Sequence, residues 1–221
     1  MPLKSIFFDT SDTLYTSSVF EEAQSRQPIF LLAKRRNLSV TKATALFKET
    51  ETELGKTSLH VTKVAVMMKL GISRMEMQES LAELEPSRFL HPDPHLNDML
   101  RQLHSLYTLG IITNILDTLL TKILAALVLE KQCFRVIVSV DNTTKSKPDP
   151  EPFLKALELS HCRAEQCLYV GDSLTKDMIP AKKVGMKTLW VSPESHHDEH
   201  VDAYVPHIYD VMSKIDALAR Q

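Results

Sequence analysis

Two clusters of acidic and hydroxyl side chains in this sequence have the composition of a site that handles phosphate. The first, DTSDTL at residues 9–14, follows an apolar run at 6–8, and the second, GDSLTKD at 171–177, follows another at 168–170. Carboxylates at the ends of buried strands are unfavourable unless a cation offsets their charge. Mg²⁺ takes oxygen ligands and often bridges to phosphate, so the two clusters together predict a magnesium site.

Two further clusters supply groups that could hold phosphate oxygens. Thr113 and Asn114 follow the apolar run at 110–112, and Lys147 lies within KSKPDP at 145–150. A lysine ammonium is a compact positive charge for a phosphate, while a threonine hydroxyl and strand-end N–H groups add hydrogen-bond donors. Carboxylates, a metal ion, a hydroxyl and an ammonium around one pocket predict a site for phosphoryl transfer.

The elements that must position these groups alternate between strand and helix, which is typical of an α/β protein with a parallel sheet. Helices are expected at 95–106, at 117–130, from near Pro150 onwards and up to near Gly185. The predicted strands cover residues 3–8, 109–113, 135–138, 168–170 and 188–191. Ligands of such sheets bind beyond the carboxyl ends of the strands, which is where the polar clusters fall.

A stretch of about seventy residues after the first strand contains helix signals and no convincing strand. Ser39 precedes an apolar stripe, Ser73 and Glu76 form a capping-box pattern, and Asn37 and Gly71 stand where helices are expected to end. These signals predict a helical bundle. Four methionines are expected to fill its core: Met67, Met68, Met75 and Met77.

The break HPDP at 91–94 ends the helical stretch, because each proline disfavours helix in the residue before it. We therefore predict a Rossmann-like parallel-sheet core with an inserted α-helical domain. The core is discontinuous and covers residues 1–16 and 91–221, and the insertion covers residues 17–90. Because the insertion leaves from the carboxyl end of the first strand, we expect it to lie over the site.

The order of the four clusters, each after a predicted strand, resembles the motifs of the haloacid dehalogenase-like (HAD) superfamily of phosphohydrolases. Residues 9–14 are similar to the first motif, Asp-x-Asp-x-Thr-Leu, and residues 171–177 are similar to the fourth, Gly-Asp-x-x-x-x-Asp. Thr113 and Lys147 are similar to the hydroxyl and the lysine of the second and third motifs. The insertion resembles the family's helical cap, and the first motif is most similar to the nucleotidase and phosphoglycolate-phosphatase branches.

The resemblance implies a role for each matching residue. Asp9 would attack phosphorus to form an aspartyl-phosphate and would also bind Mg²⁺. Asp172 and the backbone carbonyl of Ser11 would be further ligands, and Asp177 would hold a metal-bound water or orient its loop. Phosphoryl oxygens would be bound by Thr113 and Lys147, with help from the backbone N–H of Asn114. The implied substrate is a small phosphorylated metabolite.

The sequence departs from the family at one position, because the phosphatases carry a second Asp two residues after the nucleophile. That Asp is the general acid and base, and here the position is Ser11. Loss of such a group typically costs ~10²–10⁴ in rate. A slow phosphatase tuned to a good leaving group is the first expectation, with Asp12 as a less favoured replacement acid. A phosphate-binding or regulatory protein with impaired catalysis is the alternative.

Cleavage of other bonds is less favoured. Phosphonate-cleaving members also lack the second Asp and use a cap lysine, for which Lys56 or Lys63 could be proposed. A lysine of the cap is, however, more often a solvated surface charge. The branch that cleaves carbon–halogen bonds lacks the metal carboxylate that Asp172 represents here.

The composition indicates a globular protein and excludes several other classes. The 221 residues are 43% hydrophobic and 24% charged, with a net charge of −2, which gives no basic excess for nucleic acid. No apolar run is long enough for a membrane span, and no signal peptide is visible. Three cysteines without metal-ligand spacing predict reduced thiols and a cytoplasmic location. His196, His197 and His200 are interpreted as part of an exposed polar loop.

Overall fold

The computed structural model describes residues 2–56, 61, 63–194 and 197–220. The chain divides into two compact units. One is formed by residues 1–16 and 90–221, and the other by residues 17–89. Residue 90 thus falls in the unit that contains the sheet, one position before the predicted boundary.

The first unit is built on a six-stranded parallel sheet with the strand order β3-β2-β1-β4-β5-β6. The strands are β1 (Ser5–Phe8), β2 (Thr108–Ile112), β3 (Phe134–Val138), β4 (Cys167–Gly171), β5 (Lys187–Val191) and β6 (Ala203–Val205). All residues of β1 and β4 are buried, as expected for central parallel strands. The α/β fold class with a parallel sheet is confirmed.

Helices lie between the strands of this unit and after the last of them. They are α5 (Pro94–Leu106), α6 (Asp117–Ala126), α7 (Glu151–Ser160), a π-helical turn (Leu174–Met178) that leads into α8 (Ile179–Lys183), and α9 (Met212–Arg220). The predicted helix at 117–130 is too long, because Val128 takes a left-handed conformation with φ of 56° and the chain turns. Strand β6 was not predicted from the sequence.

The second unit is helical and consists of α1 (Ser18–Arg36), α2 (Val40–Gly55), α3 (Lys63–Lys69) and α4 (Arg74–Ala82). The hydroxyl of Ser39 accepts a hydrogen bond from the N–H of Lys42 and caps α2, while Ser73 and Glu76 form the expected capping box of α4. Of the four methionines expected to fill the core of this unit, two are buried and two are not. Met67 and Met77 are buried among the helices, but Met68 and Met75 are more than half exposed.

Within the described residues, we find no helix that combines the length and the apolar character needed to cross a membrane. Cys133, Cys162 and Cys167 are free thiols.

Candidate functional site

The candidate site lies at the carboxyl edge of the sheet, where the central strands β1, β2 and β4 end side by side. Asp9 directly follows β1, and its N–H donates to the carbonyl of Val170 in β4 at 2.9 Å. Thr113 follows β2, and Asp172 follows β4. The parallel pairing therefore brings residues that are distant in the sequence to one edge.

Three carboxylates converge at this edge. Asp9, Asp172 and Asp177 each offer an oxygen atom, and these atoms lie within 4.8 Å of one another. Burial, together with repulsion from Asp9, Asp177 and Asp12, raises the pKa of Asp172 to about 7. Burial also raises the pKa of Asp9, although Lys147 opposes this shift. A set of crowded oxygen donors whose charges repel one another is suited to Mg²⁺, so the residues fit the ion that the motifs imply.

Lys147 links two of these carboxylates. Its ammonium Nζ donates to Oδ1 of Asp9 and to Oδ1 of Asp177, both at 2.7 Å. The side chain of Lys147 is only 3% exposed, and that of Asp9 is 13% exposed. Burial alone would lower the pKa of Lys147, but Asp177 and Asp9 outweigh it and the pKa is raised. The lysine therefore stays charged beside the nucleophile candidate.

Asp177 is held in place from several sides. Its Oδ2 accepts a hydrogen bond from the N–H of Ser173 at 3.1 Å. A Cβ atom at Gly171 would lie 2.8 Å from the Cβ and Cγ of Asp177 and 2.9 Å from its Oδ2. The hydroxyl of Ser173 accepts from the N–H of Lys176 and so caps the helical turn that carries Asp177. Gly171 is thus the small residue that allows Asp177 to approach the strand end.

Asn114 contacts Lys147 in a way that the sequence did not indicate. Its Oδ1 accepts from the N–H of Lys147 at 2.8 Å, and its Nδ2 donates to the carbonyl of Lys147 at 2.9 Å. The side chain therefore clamps the lysine backbone at both polar groups. The neighbouring Thr113 is 4% exposed, and its hydroxyl lies 3.0 Å from that of Thr10.

Tyr169 was also missed, because a tyrosine inside the apolar run of a strand looks like a core residue. Its hydroxyl lies 2.8 Å from Nζ of Lys147 and 3.0 Å from Oδ1 of Asp177. Burial, followed by the nearby Asp177 and Asp9, raises the pKa of Tyr169 well above its usual value. The only signal in the sequence was its position two residues before Gly171.

The loop after β1 places hydroxyl groups, not a carboxylate, two residues beyond Asp9. The hydroxyl of Ser11 lies 2.9 Å from that of Tyr15. Asp12 is exposed, has a left-handed backbone with φ of 54°, and is not part of the three-carboxylate group.

The histidine-rich segment shows no sign of a metal centre among its described residues. His197 is exposed, and Nδ1 of His200 lies 2.8 Å from Oδ1 of Asp198. His196 lies outside the described residues.

The chain is similar in sequence to known proteins and matches the model of one protein family. The model of a family described as haloacid dehalogenase-like hydrolase matches residues 9–191. A glyceraldehyde 3-phosphate phosphatase from Pyrococcus abyssi is 31% identical over 194 residues, which cover 85% of this chain and 81% of that protein. A pyrophosphatase PpaX from Bacillus mycoides is 38% identical over 85 residues, only 38% of this chain and 39% of that protein.

The fold is also similar to solved structures. A HAD phosphatase from Thermococcus onnurineus superposes with a TM-score of 0.71 at 24% identity, over 96% of this chain and 97% of that one. CbbY from Rhodobacter sphaeroides, solved in complex with phosphate, gives a TM-score of 0.63 at 14% identity, over 97% and 99% of the two chains. At these identities, the likeness shows a shared fold.

Proposed function

Because the chain belongs to the haloacid dehalogenase-like hydrolases, we propose that it is a Mg²⁺-dependent phosphatase of a small phosphate monoester. The observation that carries this proposal is the buried Lys147, which bridges Asp9 and Asp177 at the strand ends. A charged lysine next to a group of carboxylates suits a phosphoryl group and a cation together. The relatives named for glyceraldehyde 3-phosphate and for pyrophosphate favour a small phosphorylated substrate.

Asp9 is the proposed nucleophile. One of its carboxylate oxygens forms a bond to phosphorus while the bond to the leaving oxygen breaks, and water then hydrolyses the aspartyl-phosphate to inorganic phosphate. The ammonium of Lys147 and the hydroxyl of Thr113 bind the phosphoryl oxygens and offset their negative charge. The backbone N–H of Asn114 assists them.

Four residues would hold the magnesium ion: Asp9, Asp172, Asp177 and Ser11, the last through its backbone carbonyl. When bound, Mg²⁺ would supply positive charge for the phosphoryl oxygens and relieve the repulsion within the carboxylate group. Asp172 is the most informative of these residues, because burial and then repulsion from neighbouring carboxylates raise its pKa to about 7, and a bound cation would oppose both effects.

We propose that turnover is slow because Ser11 stands where an acid and base is needed. Its hydroxyl is hydrogen-bonded to that of Tyr15, and two hydroxyls do not exchange a proton readily near neutral pH. The same observation favours a second candidate function. In that case the protein binds a phosphorylated ligand or regulates a partner and turns over very little.

An assay with p-nitrophenyl phosphate, with Mg²⁺ or with a chelator, tests the main proposal. Hydrolysis that requires Mg²⁺ and is abolished by Asp9→Asn supports it. Calorimetric titration with beryllium fluoride and Mg²⁺, combined with this assay, separates the two candidates, because binding with hydrolysis supports the phosphatase and binding without hydrolysis supports the regulatory protein. Absence of both binding and hydrolysis would contradict both.

The role of Ser11 has its own test. Ser11→Asp is expected to raise kcat by ~10²-fold or more if an acid and base is all that the site lacks. Ser11→Asn is the matched control, because it has nearly the same shape without an ionisable group. An aspartate variant no faster than the asparagine variant would contradict this explanation.

A further inference from the structure

Tyr169 provides the site with a contact that none of the four motifs includes. Its ring is fully buried in the central strand β4 and packs edge-on against Phe153, with 5.0 Å between ring centroids. Its hydroxyl reaches the carboxyl edge of the sheet, where it contacts Lys147, Asp177 and the carbonyl of Ile112. A side chain anchored by the core therefore ends in the polar centre of the site.

The hydrogen-bond capacity of Lys147 shows what this contact does. A lysine ammonium has three N–H groups and no acceptor. The three acceptors around it are Oδ1 of Asp9, Oδ1 of Asp177 and the hydroxyl of Tyr169, at 2.7, 2.7 and 2.8 Å. Every N–H group thus has one partner, and the orientation of the ammonium is fully determined.

The three partners are not equivalent. Tyr169 and Asp177 are 0% and 1% exposed, and the tyrosine hydroxyl donates in turn to Oδ1 of Asp177. With the ammonium they form a closed triangle of hydrogen bonds that is buried from the surface. Asp9 is the partner on the more open side, with a side chain that is 13% exposed. The N–H group that points to Asp9 is therefore the one that an incoming phosphoryl oxygen would meet, sharing it with Oδ1 of Asp9 in a three-centre hydrogen bond.

We propose that Tyr169 is a positioning residue that fixes the Lys147 ammonium so that one N–H group faces the phosphoryl position beside Asp9. This inference rests on the proposed phosphatase function. The tyrosine does not touch the substrate. Tyr169 and Asp177 each hold one N–H group of Lys147, and the remaining N–H group faces Asp9. Binding of a phosphoryl oxygen therefore requires no reorientation of the lysine.

The variant Tyr169→Phe removes the hydroxyl and keeps the buried ring. We expect kcat/KM to fall by roughly 10- to 100-fold, which is the size expected for a lost hydrogen bond to a charged group. The inhibition constant of inorganic phosphate should rise in parallel, because phosphate uses the same N–H group. Values within twofold of the parent for both quantities would overturn the proposal.

Thr188→Val is the matched control. Thr188 pairs with Tyr169 in the register of β4 and β5, is fully buried, and directs its hydroxyl to the carbonyl of His200. Loss of this hydroxyl should lower the thermal midpoint of unfolding without changing kcat or the phosphate inhibition constant. Equal kinetic losses in both variants would show that Tyr169 has only a structural role.

A double-mutant cycle in urea tests the contact without any substrate or metal. Tyr169→Phe and Lys147→Met, alone and combined, should show coupling of at least tenfold in the unfolding equilibrium constant. Additive effects would overturn the proposed contact. A parent enzyme without phosphatase activity would refute the proposed function, whereas an active parent matched by Tyr169→Phe would refute this inference alone.

Discussion

Replacing Gly171 by alanine should disturb the site through a single added methyl group. The new Cβ would lie 2.8 Å from two carbon atoms of Asp177 and 2.9 Å from its Oδ2. Ordinary contacts between carbon atoms are about 3.5–4.0 Å, so either Asp177 or the end of β4 must move by roughly 0.7–1.2 Å. The three nearest atoms all belong to Asp177, and because its Cβ is among them, side-chain rotation cannot relieve the contact and the turn that carries Asp177 must shift relative to the strand end.

The displacement has two measurable consequences. Overpacking of this kind typically costs about 1–3 kcal/mol in the free energy of unfolding. A shift of Asp177 also disturbs its 2.7 Å contact with Lys147 and its place among the three carboxylates. Since Mg²⁺ demands near-ideal octahedral geometry, the Mg²⁺ concentration for half-maximal activity should rise roughly 10- to 100-fold. Urea denaturation measures the first effect and a Mg²⁺ titration of activity the second.

Gly55→Ala is the control for adding a methyl group to glycine. Gly55 is the exposed last residue of α2, and a Cβ there would meet nothing within 4 Å. Because alanine is favoured over glycine in helices by roughly 0.5–1 kcal/mol, this variant should be as stable as the parent or slightly more stable. If Gly171→Ala were equally benign in stability and in Mg²⁺ response, the close approach of Asp177 to the strand would not matter.

Two other predictions concern residues around the site and in the core. Asn114→Ala should lose about 1–3 kcal/mol of unfolding free energy in urea, because two hydrogen bonds to the Lys147 backbone disappear. Asn114→Asp keeps an acceptor for the Lys147 N–H but places a second acceptor against the Lys147 carbonyl, so it should also be destabilised, and a variant as stable as the parent would contradict the clamp. Burial, with a smaller contribution from Cys162, raises the pKa of the Cys167 thiol to about 12. Since the thiolate is the reactive form, iodoacetamide at pH 8 should leave Cys167 unmodified in the native protein, as peptide mass spectrometry would show, and modify it in urea.

The sheet and the convergence of its acidic residues were predictable because each polar cluster directly follows an apolar run. In a parallel sheet this arrangement places Asp9 and Asp172 at one edge, whatever the details of packing. The fold class is confirmed, while the roles of the site residues stay predictions. Strand β6 was not predicted because its three residues, Ala203–Val205, are too few to show an alternating pattern of apolar and polar residues. The strand depends on its pairing with β5.

Side-chain partners were harder to predict than positions. The apolar neighbours Leu168 and Val170 indicate that Tyr169 is a core residue. Only the packed structure shows that its hydroxyl contacts the ammonium of Lys147. The amide of Asn114 likewise turns to the Lys147 backbone, a contact across 33 positions of sequence. Such contacts depend on side-chain direction, which composition and spacing do not determine.

The helical unit begins and ends at neighbouring points. The hydroxyl of Ser17 donates to the carbonyl of Phe89 at 3.4 Å, and the rings of Phe20 and Phe89 stack with centroids 5.5 Å apart. The two ends of this segment of some seventy residues therefore contact each other where it joins the unit that contains the sheet. Insertions with adjacent ends are the kind that a host fold tolerates best. Another segment with the same spacing between its ends could therefore replace this one without pulling apart the chain on either side of it.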